Sequence, residues 1–214
     1  MAPFDAVVIA DDPLAKVRIA GLEAHERARR VAGKVGAARV FVVENTADRS
    51  AIAAWRGDRR TPLLVIRANQ LVHTPLVAPL LEVFERGVAV AVGPNDADGG
   101  AYLVDADHAS SALAAIANGD DTASFAPDAA RIVHGVIARH SIATPADRKA
   151  AHKLLYKILV KPQDNAITRY LYRPISFPLT RMLVWTPITP NIVSFVVAVL
   201  GLVLVLMRKK NPTP

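Results

Sequence analysis

Two adjacent carboxylates, Asp11 and Asp12, close the first apolar run of the chain, Ala6–Ala10, and are the first residues whose types suggest chemistry. Such a pair could hold Mg²⁺, a hard cation that prefers oxygen ligands, or could cap a helix in a solvated turn. A nucleotide site at this point normally needs glycines, so that backbone N–H groups can approach the phosphates. The loop Asp11-Asp12-Pro13-Leu14-Ala15 contains no glycine, its proline carries no N–H, and its two carboxylates repel phosphate. Elsewhere the signals are weaker. His25, His73, His108, His134, His140 and His152 show no metal-ligand spacing, and Gly99-Gly100 reads as a turn. The absence of cysteine excludes a disulfide framework and a thiolate metal site. No residue is assigned to catalysis or to a metal.

The elements that must position this loop follow from hydrophobic patterning. Ala6–Ala10, Arg39–Val43, Leu63–Ile66, Val88–Val92 and Ala101–Val104 read as buried strands. Ala24–Lys34, Arg49–Trp55, Pro75–Arg86 and Ser110–Ala117 read as helices. Strands alternating with helices predict an α/β domain: a mostly parallel sheet with helices on both faces. In such sheets the ligand crevice lies at the strand carboxyl ends. Those ends are Ala10-Asp11-Asp12, Glu44-Asn45 and Arg67-Ala68-Asn69-Gln70.

Charge divides the chain in two. Residues 1–143 carry 15 Lys+Arg against 17 Asp+Glu, and residues 144–214 carry 11 against 2, so the formal charge of +7 resides in the last third. Such a basic half points to an anionic partner. Ile192–Met207 (IVSFVVAVLGLVLVLM) decides which, because sixteen residues pass without a charge and Arg208, Lys209 and Lys210 close the run. A globular core helix rarely lacks a polar face, so this reads as a membrane span of about 25 Å. Ser194, Ala198 and Gly201 give it one small-residue side suited to other transmembrane helices or a homodimer. The preceding segment is amphipathic, broken by Pro174 and Pro178, with Arg169, Arg173, Arg181 and Trp185 suited to a lipid interface. Thr144-Pro145-Ala146-Asp147 starts a further helix by a capping box. Its residues Lys149, Lys153, Lys157 and Lys161 form a stripe that could be merely solvated or could attract a membrane. The partner expected is membrane lipid and not nucleic acid.

The order Lys161-Pro162-x-Asp164, Arg173-Pro174-Ile175-Ser176 and Thr186-Pro187-Ile188-Thr189-Pro190-Asn191, leading into an apolar run, resembles the start of the CDP-alcohol phosphatidyltransferases. The likeness is to the group that carries a cytosolic nucleotidyltransferase-like domain. It covers about residues 140–207 well and residues 5–120 faintly. The resemblance implies a transferase of phospho-alcohol groups in phospholipid biosynthesis, with Mg²⁺ and a CDP-alcohol or CTP as its ligands. Its catalytic signature, D-G-x₂-A-R-x₈-G-x₃-D-x₃-D, is missing, and Asp98-Gly99-Gly100-Ala101 does not match it. The chain alone is therefore expected to be inactive in the transfer, as a truncated piece of a longer enzyme or a stand-alone relic. Lys16 and Gly21 fall near the K-P…G segment of sugar-type nucleotidyltransferases, which makes Lys16 a candidate nucleotide contact. The metal-binding aspartate of those enzymes is replaced by Asn69, and an amide holds Mg²⁺ more weakly than a carboxylate. Asn191, at the mouth of the span, could contact a CDP-linked ligand or simply cap the helix.

The organisation expected is a degenerate nucleotidyltransferase-like α/β domain over 1–143, a basic amphipathic linker over 144–188, a transmembrane helix over 189–210 and a tail over 211–214. Its location is the cell membrane, with the N-terminal domain cytoplasmic. The alternative is a tail-anchored protein whose inactive domain is a binding module.

Overall fold

The computed structural model describes residues 3–93, 98–121, 128–133 and 140–159, with positions 178, 191–192, 194–195, 198–199 and 201. Two compact units divide the chain, Met1–Leu159 and Val160–Pro214. The first is built on a six-stranded sheet of order β4-β1-β5-β7-β6-β8. Its strands are β1 (Asp5–Ile9), β4 (Arg39–Val43), β5 (Leu63–Arg67), β6 (Val88–Val92), β7 (Asp98–Val104) and β8 (Ala130–Val133). All run in one direction except β7, which lies antiparallel between β5 and β6. A short antiparallel pair, β2 (Arg18–Ile19) and β3 (Leu22–Glu23), stands apart.

β1 lies between β4 and β5 and is buried on both faces, through Ala6 and Val8 on one and Val7 on the other. That double burial is why the strand reads as a continuous apolar run and not as an alternation. On one face Ala6, Val8, Leu64 and Ile66 pack under α1 (Ala24–Lys34) and α3 (Thr74–Val83). On the other, Val7, Val43, Leu63, Val65 and Tyr102 pack under α2 (Thr46–Arg56) and α4 (Ala109–Asn118). The expected α/β fold, with a mostly parallel sheet and helices on both faces, is therefore present.

Local chemistry explains where elements begin earlier than their patterning suggested. α2 starts at Thr46 and not Arg49, because the Asn45 side chain accepts a hydrogen bond from the Asp48 N–H at 3.0 Å and caps the helix. α3 ends at Val83, short of Arg86. β7 starts at Asp98, so Gly99-Gly100 is strand and not turn. A Cβ on Gly99 would lie 2.7 Å from the Ala91 carbonyl oxygen of β6, which only glycine permits. Gly99→Ala is expected to destabilise the fold by about 1–3 kcal/mol, the usual range for overpacking. A denaturation midpoint equal to that of the parent would contradict this.

α5 (Pro145–Leu159) begins with the expected capping box. The Asp147 N–H donates to Thr144 Oγ1 at 3.1 Å, and the Thr144 N–H donates to Asp147 Oδ2 at 3.1 Å. The helix is not a free linker. Ala151 is fully buried against Ile19, Ala24, Leu71 and Ile142, with Leu154 and Leu155 packed beside it. The α/β unit thus runs to Leu159, and the helix placed at the start of the linker is its last element.

Arg169, Arg173, Arg181 and Trp185 lie outside the described residues. Of the run expected to span a membrane, Asn191, Ile192, Ser194, Phe195, Ala198, Val199 and Gly201 are described, and each is helical and exposed. Among the described residues no helix is long and apolar enough to cross a membrane.

Candidate functional site

The carboxyl ends of β1 and β4 open onto a hollow of about 700 Å³. Asp11, Asp12, Glu44, Asn45, Arg49 and Asn118 line it. Asp11 and Asp12 are carried there by β1, Glu44 and Asn45 by β4, Arg49 by the first turns of α2, and Asn118 by the end of α4. Three carboxylates therefore face one guanidinium.

Several polar groups of this hollow are already engaged. Arg49 donates to the Asp11 carboxylate, 38 positions away in sequence. It also lies against the backbone of Gly119, the left-handed C-cap of α4 with φ 83°, where a Cβ would fall 2.2 Å from Arg49 Nη1. A cation beside a helix C-terminus is favourable, so Arg49 is held from both sides. Asp12 Oδ1 accepts the Leu14 N–H at 2.8 Å and caps the 3₁₀ turn Pro13–Lys16. The Ala10 N–H is given to Val43 O at 2.8 Å and the Ala15 N–H to Asp12 O at 2.9 Å. Pro13 has no N–H. The amides of Ala10, Leu14 and Ala15 are therefore not available to a phosphate.

Lys16 is exposed and ends the 3₁₀ turn, and it does not line the hollow. Asn69 follows β5 half-buried and does not line it either. Gln70 is buried, its Nε2 donates to Gly99 O, and Gly100 at φ 69° leaves room for that amide. Gly100 N–H donates to Asp98 Oδ1 at 2.6 Å, and the Tyr102 hydroxyl donates to Asp98 Oδ2. Asn191 lies in the second unit and is exposed.

The implied Mg²⁺ does not fit the residues present. Asp11 is paired with Arg49, Asp12 is spent as a cap, and the position after β5 offers Asn69. Among the described residues no group of three or more His, Asp or Glu could hold a metal ion.

Sequence reasoning placed Asp11, Asp12, Glu44 and Asn45 at this mouth but missed Arg49 and Asn118. No local pattern links Arg49 to Asp11, and the pairing follows only from the parallel register of β1 with β4. It also missed the knot at the opposite end of the sheet. There the fully buried Asp5 meets Arg56 Nη1 at 2.8 Å, Arg39 Nη2 at 3.2 Å and Arg59 Nε at 3.4 Å. Arg39 in turn lies 4.6 Å over the Trp55 ring.

No family model matches the sequence, and no curated protein does. Solved structures do match the fold. The inositol-1-phosphate CTP transferase from T. maritima aligns with a TM-score of 0.55 at 14% identity, over 72% of this chain and 95% of that one. Rv0371C from Mycobacterium tuberculosis H37Rv, solved as a manganese complex, aligns with a TM-score of 0.54 at 12% identity, over 71% of this chain and 98% of that one. At such identities the likeness establishes the fold alone: the first unit is a nucleotidyltransferase-like α/β domain.

Proposed function

We propose that the chain serves a membrane-bound CDP-alcohol phosphatidyltransferase as its N-terminal portion, with the α/β domain a nucleotidyltransferase fold that no longer transfers nucleotides. The observation that carries this reading is the ordered series Lys161-Pro162-x-Asp164, Arg173-Pro174-Ile175-Ser176 and Thr186–Asn191, running into sixteen uncharged residues. The exposure of the apolar helical residues Ile192, Phe195 and Val199, at 48, 69 and 42%, supports it. Such residues are disfavoured in water and favoured in hydrocarbon, at roughly −0.3 to −0.6 kcal/mol each near a bilayer centre. The engaged loop and unsuitable metal ligands support a silent nucleotide domain. A second reading, a tail-anchored binding module, is favoured by the same engaged hollow. In the first reading Mg²⁺ and a CDP-alcohol or CTP would be ligands of other parts of the enzyme.

Fractionation tests the membrane half of the proposal. The full chain should sediment with membranes and be released only by detergent. A chain ending at Leu159, where the first unit closes, should stay in the soluble fraction. Equal recovery of both without detergent would overturn it.

A further inference from the structure

The outer face of α5 is unusual within this fold. Lys149, Lys153 and Lys157 are all exposed and stand one turn apart, on the side away from the buried Ala151. Among the described residues none of the three forms a hydrogen bond or an ion pair. The contrast is α1, whose exposed Arg29 and Arg30 both clasp Glu26 at 2.7 Å. Those two hydrogen bonds, Arg29 first, hold the Glu26 carboxyl down at about 2. The neighbours of α5 offer no such neutralisation. Asp147 is occupied by its capping box with Thr144 and by Ser141, and Glu23 is beside Arg18 and His25. Like charges at four-residue spacing repel along a helix. The stripe therefore raises the energy of the isolated domain and has nothing within the described residues to offset it.

The sequence supplies the complement. After α5 the chain holds Lys161, Arg169, Arg173 and Arg181 against Asp164 before the uncharged run begins. A continuous basic tract leading into an apolar segment matches an anionic bilayer surface, where each lysine adds to binding. We propose that the Lys149–Lys153–Lys157 face of α5 is the surface on which the α/β domain rests against anionic lipid headgroups. This rests on the membrane reading above and adds to it the face of the domain involved. The lysine stems lie along the helix surface while their ammonium groups reach the headgroups.

Amine labelling of the full chain, read residue by residue by mass spectrometry, tests this. The probes are nanodiscs of phosphatidylcholine alone or of phosphatidylcholine with phosphatidylglycerol. Lys149, Lys153 and Lys157 should label several-fold more slowly in the anionic discs, and high salt should abolish the difference. The exposed Lys16 and Lys34 should label equally in both and serve as internal references. If the chain does not insert, the membrane reading of the function fails, but the stripe is still tested by vesicle co-sedimentation. Binding of the full chain to phosphatidylglycerol vesicles should then weaken about a hundredfold in the triple variant K149E/K153E/K157E. Equal labelling of the three lysines in both discs, or vesicle binding unchanged in the triple variant, would overturn the proposal.

Discussion

Asp5→Ala should lower the stability of the α/β domain by about 3–5 kcal/mol, the range found when one partner of a buried ion pair is removed. Asp5 is fully buried, and its carboxylate is the common acceptor for Arg39, Arg56 and Arg59, with Thr61 Oγ1 at 3.4 Å. Arg56 is itself only 5% exposed, and burial pulls its pKa down while Asp5 holds it up. Without the carboxylate, a buried guanidinium faces two like charges with no counter-charge. The residues involved join β1, β4, the end of α2 and the segment before β5, so the loss falls on the packing of these three strands with α2. Against a domain stability of roughly 5–15 kcal/mol, this is a large fraction. The melting temperature should fall by about 10 °C or more, at a few degrees per kcal/mol for a chain of this size. Asp5→Leu combined with Arg56→Met should recover part of that loss, since replacing both partners removes the unpaired charge. Calorimetry of the three proteins decides the matter. An Asp5→Ala melt within a degree or two of the parent would show that solvent reaches the knot.

Much of the sheet was legible in the sequence. Its inner strands are buried on both faces, so β1, β5 and β6 stand out as apolar runs. The capping box of α5 was legible for a different reason: both of its bonds connect residues three apart. What escaped was either short or non-local. β8 is a four-residue edge strand with three exposed residues, too little pattern to register. Gly99-Gly100 carries the signature of a turn, yet the close approach of Ala91 O and the Gln70 amide is what requires glycine there. The extent of the first unit also escaped, because the apolar face of α5 is complementary to Ile19, Leu71 and Ile142, residues far away in sequence. For the site, the sequence supplied its acidic character through Asp11 and Asp12, and the missing glycines were informative. It could not show that Arg49 closes on Asp11, or that Lys16 does not line the hollow.

A nucleotidyltransferase-like fold is expected to persist here without nucleotidyl transfer. A triphosphate entering the crevice would meet Asp11, Asp12 and Glu44, with a single guanidinium already engaged. The backbone amides that might cradle it at Ala10, Leu14 and Ala15 are donated within the protein. A metal bridging phosphates to protein would find Asn69 in place of a carboxylate. Each deficit acts on the charged transition state, where preorganised donors are worth most; one missing donor typically costs about 10²–10³ in rate. Several together should place turnover below detection. The most direct measurement is pyrophosphate release from CTP by the full chain, with inositol 1-phosphate or a sugar phosphate as acceptor and Mg²⁺ or Mn²⁺ present. Release should be no faster than in a protein-free control. Turnover that is abolished by Lys16→Ala would contradict it and show that the first loop still holds a triphosphate.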